Sequence, residues 1–388
     1  MNLKSSADAL LGKAVAAGAV PGVVAMAANR EGVIYQGAFG ERALATGQPM
    51  TADTVGWIAS MTKAITSVAA VQLVERGKLD LDAPASRTVP AIAGARVLTG
   101  FDKAGNPQTR PPKRPITLRH LLTHSAGFSY ELFNTDIQKV QAAWGLPGII
   151  ECKEASLKTP LLFDPGERWE YGINIDWAGK MIEAVSGQKL GAYLQENLFD
   201  PLGMTSTAFR ISPDMRKRLA MMHMRGPDGA LAPMDFEITQ QPEVEGAGHA
   251  LYSTAGDYLN FLRMILNGGQ LGGERALSPE SVNMLAVNQM GSNRVTFMNS
   301  ATPLSNSAEF FPGVAKSWSL AFQINFEKVS TGRPAGGLMW AGLCNSYYWI
   351  DLTSGIAGVY LTQMLPFGDV KSLPLYLDFE TAVYDSLR

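Results

Sequence analysis

A candidate nucleophile and a candidate base lie one helical turn apart in the stretch Trp57-Ile58-Ala59-Ser60-Met61-Thr62-Lys63. The stretch opens a predicted helix over residues 60–76, whose apolar residues recur at helical spacing. Because three residues make nearly one turn, the Lys63 amine would lie within reach of the Ser60 hydroxyl. The N–H groups at the helix start would favour an alkoxide and a developing oxyanion. The spacing fits an activated serine, and equally an ordinary serine followed by a solvated lysine.

The same spacing occurs a second time, in Ser186-Gly187-Gln188-Lys189. Here the glycine follows the end of a predicted helix over residues 175–185, so Ser186 is interpreted as a capping residue. Around Lys63, by contrast, apolar neighbours such as Ile58 and Ile65 would disfavour the charged amine and lower its pKa towards that of a useful base. Burial of the lysine is therefore the property that separates the two copies.

Composition excludes several classes of protein. The chain has 388 residues, 46% hydrophobic and 18% charged, with a net charge of −2, which excludes a disordered tail protein. It lacks the charge that nucleic-acid or anionic-membrane binding requires, so a small neutral ligand is the expected partner. Four histidines and two cysteines are too few for a disulfide framework or a Cys-rich zinc site. His120 and His124 have metal-binding spacing but no third ligand, so we expect no metal.

Targeting signals are not evident in the sequence. Residues 1–10 carry Lys4 and Asp8 without the long apolar run of a signal peptide. The longest apolar stretches fall short of the roughly 20 residues that a membrane span needs. We therefore expect a cytoplasmic protein that does not enter the membrane.

Strand patterns near both chain ends enclose a helical middle. A hairpin is predicted over residues 23–28 and 32–39, and the segment 96–115 is expected to be a surface loop. Such an order suggests one sheet built from both ends with a helical subdomain inserted. Further strands are predicted at 318–326, 337–343, 347–352 and 356–364, and helices at 5–17, 118–124, 175–185, 190–198, 255–266 and 373–387.

Several segments, taken in order, resemble the serine β-lactamase and penicillin-binding-protein-like superfamily, and within it the class C β-lactamase-like carboxylesterases (family VIII esterases). They span about 300 residues, which is far more specific than one motif. Besides residues 57–63, the matching segments are Pro115-Ile116-Thr117-Leu118-Arg119-His120-Leu121-Leu122-Thr123-His124-Ser125-Ala126-Gly127, Phe163-Asp164-Pro165-Gly166-Glu167-Arg168-Trp169-Glu170-Tyr171, Leu251-Tyr252-Ser253-Thr254-Ala255-Gly256-Asp257 and Trp340-Ala341-Gly342.

The resemblance implies a β-lactamase-like α/β (α+β) fold, with an antiparallel sheet flanked by the terminal helices. We expect one catalytic unit over residues 1–388, with an α/β subdomain from about 1–59 and 311–388 and a largely helical subdomain over about 60–310. It also implies that Tyr171 is the third catalytic residue beside Ser60 and Lys63. Either Lys63 or a tyrosinate at Tyr171 would be the base, and the sequence leaves both open.

The resemblance places the oxyanion hole at the backbone N–H groups of Ser60 and Leu343. Trp340 stands where relatives carry a lysine or histidine, so the cation that binds a substrate carboxylate is replaced by a flat apolar wall. This favours neutral esters. The substrate-binding candidates are Trp340, Ala341, Gly342, Phe128, Tyr130 and His249.

The sequence thus predicts a serine carboxylesterase that hydrolyses small or short-acyl esters through an acyl-enzyme and needs no cofactor. The enzymatic alternatives are hydrolysis of β-lactams or of D-amino acid amides and peptides, and acyl transfer to another alcohol. The non-enzymatic alternative is a sensor that is acylated without turnover.

Overall fold

The strands predicted near both chain ends join in one antiparallel sheet of eight strands in the computed structural model, which describes residues 2–387. The sheet order is β12-β13-β14-β15-β16-β1-β2-β3. These strands are β1 (Gly22–Asn29), β2 (Val33–Ala43), β3 (Gln48–Pro49), β12 (Lys316–Trp318), β13 (Gln323–Asn325), β14 (Leu338–Gly342), β15 (Ser346–Asp351) and β16 (Ile356–Leu361). The pairing of β1 with β16 joins the two ends of the chain.

Helices cover both faces of this sheet, as the side chains of β15 show. Neighbouring residues of a strand point to opposite faces. Tyr347 stacks on Tyr376 with ring centroids 4.6 Å apart, whereas Tyr348 packs against Tyr258 at 5.1 Å. Tyr376 belongs to the closing helix, Ser372–Asp385, and Tyr258 to the helix Ala255–Leu266. The chain's first helix, Leu3–Ala16, packs beside the closing helix.

Eight of the ten α-helices of residues 2–387, α2 to α9, lie in the middle of the chain. The buried helix α2 packs against α5 and α9, and α5 contacts α3 and α6. The α-helices in chain order are α1 (Leu3–Ala16), α2 (Thr62–Glu75), α3 (Leu118–Leu122), α4 (Thr135–Trp144), α5 (Asn174–Ser186), α6 (Leu190–Leu194), α7 (Pro213–Lys217), α8 (Ala255–Leu266), α9 (Pro279–Leu285) and α10 (Ser372–Asp385). A single 3₁₀ turn, Ala59–Met61, precedes α2.

Short strands join these helices to one another and to the sheet. The pairs are β4 with β9, β5 with β6 and β10 with β11, while β7 lies between β8 and β17. Their bounds are β4 (Val55–Trp57), β5 (Val97–Phe101), β6 (Pro107–Arg110), β7 (Met222–Arg225), β8 (Leu231–Met234), β9 (Tyr252–Thr254), β10 (Gln270–Leu271), β11 (Glu274–Arg275) and β17 (Met364–Leu365). No helix among residues 2–387 is long and apolar enough to cross a membrane.

Three sequence predictions need correction. The segment 96–115 is not all loop, because β5 and β6 form a hairpin within it. The strand predicted at 318–326 is broken where Ser319 Oγ accepts the N–H groups of Ala321 and Phe322, which turns the chain between β12 and β13. The strand predicted at 356–364 ends at Leu361, and the chain then pairs with β7 through β17.

The division into two subdomains remains a prediction. One feature bears on where such a boundary would lie: α8, within the segment 60–310, contacts β1, β15 and β16 of the main sheet. The junction that matters for the site is that of β14 with the turn before α2, which contact each other directly.

Candidate active site

Ser60 lies in the 3₁₀ turn that leads into α2. Ala59, just before it, has a φ of 45°, a left-handed conformation that residues with a side chain seldom adopt. Such strain persists only where the surrounding structure holds it in place. One turn on, Lys63 is 1% exposed and its Nζ donates a hydrogen bond to Ser60 Oγ at 3.1 Å. The structure therefore brings the two together as the spacing predicts.

Three further groups hold the Lys63 amine. Its Nζ donates to the hydroxyl of Tyr130 at 2.9 Å and to the carbonyl of Gly248 at 2.8 Å, and lies 4.7 Å from the ring centroid of Tyr171. Burial lowers the pKa of Lys63, while the negative charge of Asp176 acts in the opposite direction. The amine is therefore fixed in space and more readily deprotonated than a lysine in water.

Tyr171 completes the cluster from the segment just before α5. The indole Nε1 of Trp340 donates to the Tyr171 hydroxyl at 3.0 Å. Burial raises the pKa of Tyr171, against smaller lowering contributions from hydrogen bonds with Ser60 and Trp340. At neutral pH Tyr171 is thus a phenol, and its hydroxyl can pass a proton but does not start as a base. The contact with Trp340 was not foreseen, since the sequence suggested only an apolar wall.

The strand β14 brings the predicted oxyanion residues to the nucleophile. A Cβ at Gly342 would lie 2.4 Å from the carbonyl oxygen of Ile58, so only glycine lets the strand lie this close to the turn. Leu343 follows directly and lines the same cleft as Ser60. The assignment of the Ser60 and Leu343 N–H groups as an oxyanion hole stays a prediction, which this arrangement fits.

The cluster opens into a cleft with mainly apolar walls. Most of its lining is aromatic or aliphatic, which suits an uncharged substrate. Five of the predicted substrate-binding residues line it: Tyr130, His249, Trp340, Ala341 and Gly342. Further residues of the lining are Trp57, Ala59, Leu132, Phe133, Ile149, Ile150, Met298 and Phe367.

Phe128, the sixth predicted substrate-binding residue, is not part of this cleft. It is fully buried and stacks on Trp177, with ring centroids 6.1 Å apart. The two rings line a separate groove. Phe128 therefore packs outside the cleft that Ser60 lines.

The histidines are held by structural contacts. His120 Nδ1 accepts the N–H of Thr117 and caps α3. His124 is buried, its Nδ1 lies 3.1 Å from Asn174 Nδ2, and its ring centroid lies 4.9 Å from that of Tyr171. Among residues 2–387 no group of three or more His, Cys, Asp or Glu side chains is placed to hold a metal ion.

Asp176 is the charged residue of this site that the sequence analysis missed. It lies in the first turn of α5, 4% exposed, and its Oδ1 accepts the N–H of Gly248 at 3.0 Å. The available signal was its place five residues after Tyr171, at a helix start where an anion is favoured. The sequence alone could not show that this carboxylate faces a lysine 113 positions earlier.

Comparison with known proteins places this geometry in a family. The family model described as Beta-lactamase matches residues 7–381. The chain is 33% identical over 390 residues to a monacolin J acid methylbutanoyltransferase of Aspergillus terreus (strain NIH 2624 / FGSC A1156), covering 96% of this chain and 93% of that protein. It is 34% identical over 373 residues to a lovastatin esterase of Penicillium rubens, covering 92% of each.

Solved structures agree with the sequence relatives. A simvastatin synthase from Aspergillus terreus, the LovD6 mutant, superposes with a TM-score of 0.85 at 30% identity, covering 99% of this chain and 95% of that one. The similarity extends over both the sheet and the helical middle.

Proposed function

The chain belongs to the beta-lactamase family, and from that premise we propose that it is a serine carboxylesterase that hydrolyses small or short-acyl esters through an acyl-enzyme on Ser60. The observation that carries the proposal is the Lys63 amine, buried and 3.1 Å from Ser60 Oγ. A lysine in this setting can accept the proton of the serine hydroxyl near neutral pH.

The first half-reaction forms the acyl-enzyme. Ser60 Oγ attacks the ester carbonyl carbon as its proton passes to Lys63 Nζ, and the N–H groups of Ser60 and Leu343 stabilise the oxyanion. The carbon–oxygen bond to the alcohol then breaks, and the alcohol leaves with the proton from Lys63, by way of the Tyr171 hydroxyl. Of the two candidate bases Lys63 is favoured, because burial lowers its pKa and raises that of Tyr171.

The second half-reaction releases the acyl group. Water gives its proton to Lys63 and adds to the acyl carbon, and the bond to Ser60 Oγ breaks as the serine regains a proton. No step needs a cofactor.

Acyl transfer to a second alcohol is the other candidate function. It differs only in which hydroxyl attacks the acyl-enzyme, so the same residues would carry it. It is favoured by the methylbutanoyltransferase relative, which is 33% identical over nearly the whole chain. The apolar walls of the cleft would suit an apolar alcohol as well as an acyl group.

A panel of substrates tests the proposal. We would measure turnover of p-nitrophenyl acetate and butyrate, a chromogenic cephalosporin and a D-amino acid amide, each with wild type and Ser60→Ala. We expect the esters to be turned over fastest, because Trp340 replaces the cation that would bind a carboxylate. Ester turnover that survives in Ser60→Ala would refute the Ser60 mechanism.

The same panel separates the alternatives. Product release that stops after one equivalent would instead support an acylated sensor. To detect transfer, the ester assay is repeated with an apolar alcohol present, and the new ester is measured against free acid. Dominance of the new ester at low alcohol concentration would favour the acyltransferase.

A further inference from the structure

The peptide of Gly248 connects two buried groups of opposite charge. Its N–H donates to Asp176 Oδ1 at 3.0 Å, and its carbonyl accepts from Lys63 Nζ at 2.8 Å. The N–H and the carbonyl of Gly248 belong to two successive peptide planes that meet at its Cα, so the hydrogen bond to the carboxylate restrains the residue whose carbonyl accepts from the lysine. Asp176 thus holds the acceptor that holds the lysine.

Because Gly248 has no side chain, Asp176 and Lys63 can also lie close to each other in space. A Cβ placed there would lie 2.8 Å from Asp176 Oδ2, 3.1 Å from the Tyr130 hydroxyl and 3.3 Å from Lys63 Nζ. Asp176 Oδ2 and Lys63 Nζ are therefore within about 6 Å of each other. At this distance, opposite charges shift each other's pKa by about 1 or more. A methyl group at this position would fill the space between them.

Asp176 needs a positive partner, and His249 does not supply it. Oδ2 of Asp176 is buried and receives no hydrogen bond from the part of the chain that the structure describes. His249 Nδ1 lies 3.7 Å from Oδ1, but burial and the nearby charge of Lys63 lower the pKa of His249 to about 3. The imidazole is therefore neutral, and the group facing Asp176 that can take up a positive charge is Lys63.

The tyrosines, the Cys152 thiol and the histidines around the pair do not carry charge at neutral pH. Burial raises the pKa of the tyrosines and of the Cys152 thiol, and lowers the pKa of His124 as well as of His249. Glu131 adds a carboxyl beyond Asp176, with its pKa raised by burial. The groups that surround Lys63 and Asp176 are Tyr130, Tyr171, His124, His249, Cys152 and Glu131.

We propose that Asp176 is the positioning residue of Lys63: through its hydrogen bond to Gly248 it holds the amine beside Ser60, and its negative charge favours the protonated form of that amine. The inference deepens the proposed function and rests on it for the catalytic consequence. The placement of Lys63 and its ionisation are properties of the folded chain and can be measured without turnover.

The direct test is the titration of Lys63 itself. Protein labelled with ¹³C at the lysine Cε is titrated by NMR, and the Lys63 signal is assigned by its loss in Lys63→Arg. Asp176→Asn keeps an oxygen for the Gly248 N–H but removes the negative charge, so the Lys63 titration should move to lower pH by about one unit or more. An unchanged titration in this variant would overturn the proposal.

The matched control is Asp257→Asn. Asp257 is another buried carboxylate that accepts hydrogen bonds, from the Ser206 N–H at 2.7 Å and the Thr207 hydroxyl at 2.9 Å. It is not among the groups whose charge acts on Lys63. The Lys63 titration should therefore stay in place in this variant.

A second variant tests the placement of the amine if Asp176→Asn is poorly folded. Gly248→Ala leaves both charges but places a methyl group between them, so the amine should move away from Ser60 and ester kcat should fall about tenfold or more. A wild-type kcat in a folded Gly248→Ala would overturn the positioning role. If wild type shows no Ser60-dependent turnover, the proposed function fails, while the NMR titration still decides the role of Asp176.

Discussion

The chain contains the pattern Ser-x-x-Lys twice. The two copies share their spacing but differ in burial, in hydrogen bonding and in their position relative to a helix. Ser60 precedes the buried helix α2. Lys63 is 1% exposed, and its amine donates a hydrogen bond to the Ser60 hydroxyl. Ser186 ends α5, its Oγ accepts the N–H of Gln188 at 3.2 Å, and Lys189 is exposed. Burial lowers the pKa of Lys63, and hydrogen bonds hold its amine beside the hydroxyl. Helical spacing alone does neither, as the second copy shows.

The glycines beside the two copies show the same contrast. Gly342 approaches the Ser60 turn so closely that a Cβ would lie 2.4 Å from a backbone oxygen, so this glycine is needed for space. Gly187 has open space around it but a φ of 70°, so it is needed for a left-handed turn that ends the helix. One glycine permits a contact between two parts of the site, and the other shapes a chain reversal.

The lysines should give the largest difference. Lys63→Met keeps most of the buried side chain but removes the amine, so ester kcat/KM should fall about 10³-fold. Lys189→Met, the matched control, removes an exposed amine and should leave kcat/KM unchanged. Steady-state rates on p-nitrophenyl butyrate measure both, and equal losses in the two variants would erase the distinction.

The glycine on β14 should give the next largest effect. Gly342→Ala forces the strand away from the Ser60 turn and moves the Leu343 N–H, so kcat should fall about 10²-fold. Gly32→Ala, in a hairpin with nothing within 4 Å of the added methyl, is the control and should keep the wild-type rate. A wild-type kcat in Gly342→Ala would show that close approach of β14 is not required.

The pH dependence sharpens the claim that Lys63 works as a neutral amine. Burial lowers the pKa of Lys63, and its deprotonated form is the base, so kcat/KM should rise with pH and level off well below the usual pKa of a lysine, about 10.4. Rates measured across pH 5–10, on an ester that is stable over that range, would show where kcat/KM stops rising. A rise that continues to pH 10 would mean that Lys63 keeps an ordinary pKa.

The smallest effect is expected at the second copy. Gly187→Ala places a side chain at a φ of 70°, which should lower the free energy of unfolding by about 1 kcal/mol and Tm by roughly 2 °C. Ester kcat should not change. Thermal unfolding followed by circular dichroism measures the change in Tm. A loss of kcat with unchanged Tm would contradict a purely structural role.

Much of the fold could be predicted because its strands and helices follow local apolar patterns. The strands of residues 337–352 and the helix 255–266 are close to their predicted bounds. The hairpin of β5 and β6 was missed because its Pro, Gly and basic residues look like those of a loop. The break at Ser319 depends on a side chain that accepts two N–H groups, which no periodicity reveals.

The candidate site could be predicted only where its residues are close in the sequence or belong to a motif that resembles a known family. Ser60 and Lys63 are neighbours on one helix, and Tyr171 was found through a resemblance. Asp176 could not be found this way, because Asp176, Gly248 and Lys63 come from separate segments of the chain. The contact of Trp340 with the Tyr171 hydroxyl likewise arises only when β14 packs beside the segment before α5.

The central claim is that the buried copy of the motif carries the covalent step. Wild type is mixed with p-nitrophenyl butyrate, quenched in acid within milliseconds to seconds, digested and analysed by mass spectrometry. We predict a butyryl group on Ser60 that accumulates and decays with turnover, and none on Ser186. Turnover without an adduct on Ser60, or an adduct on another residue that forms and decays at the catalytic rate, would contradict the account.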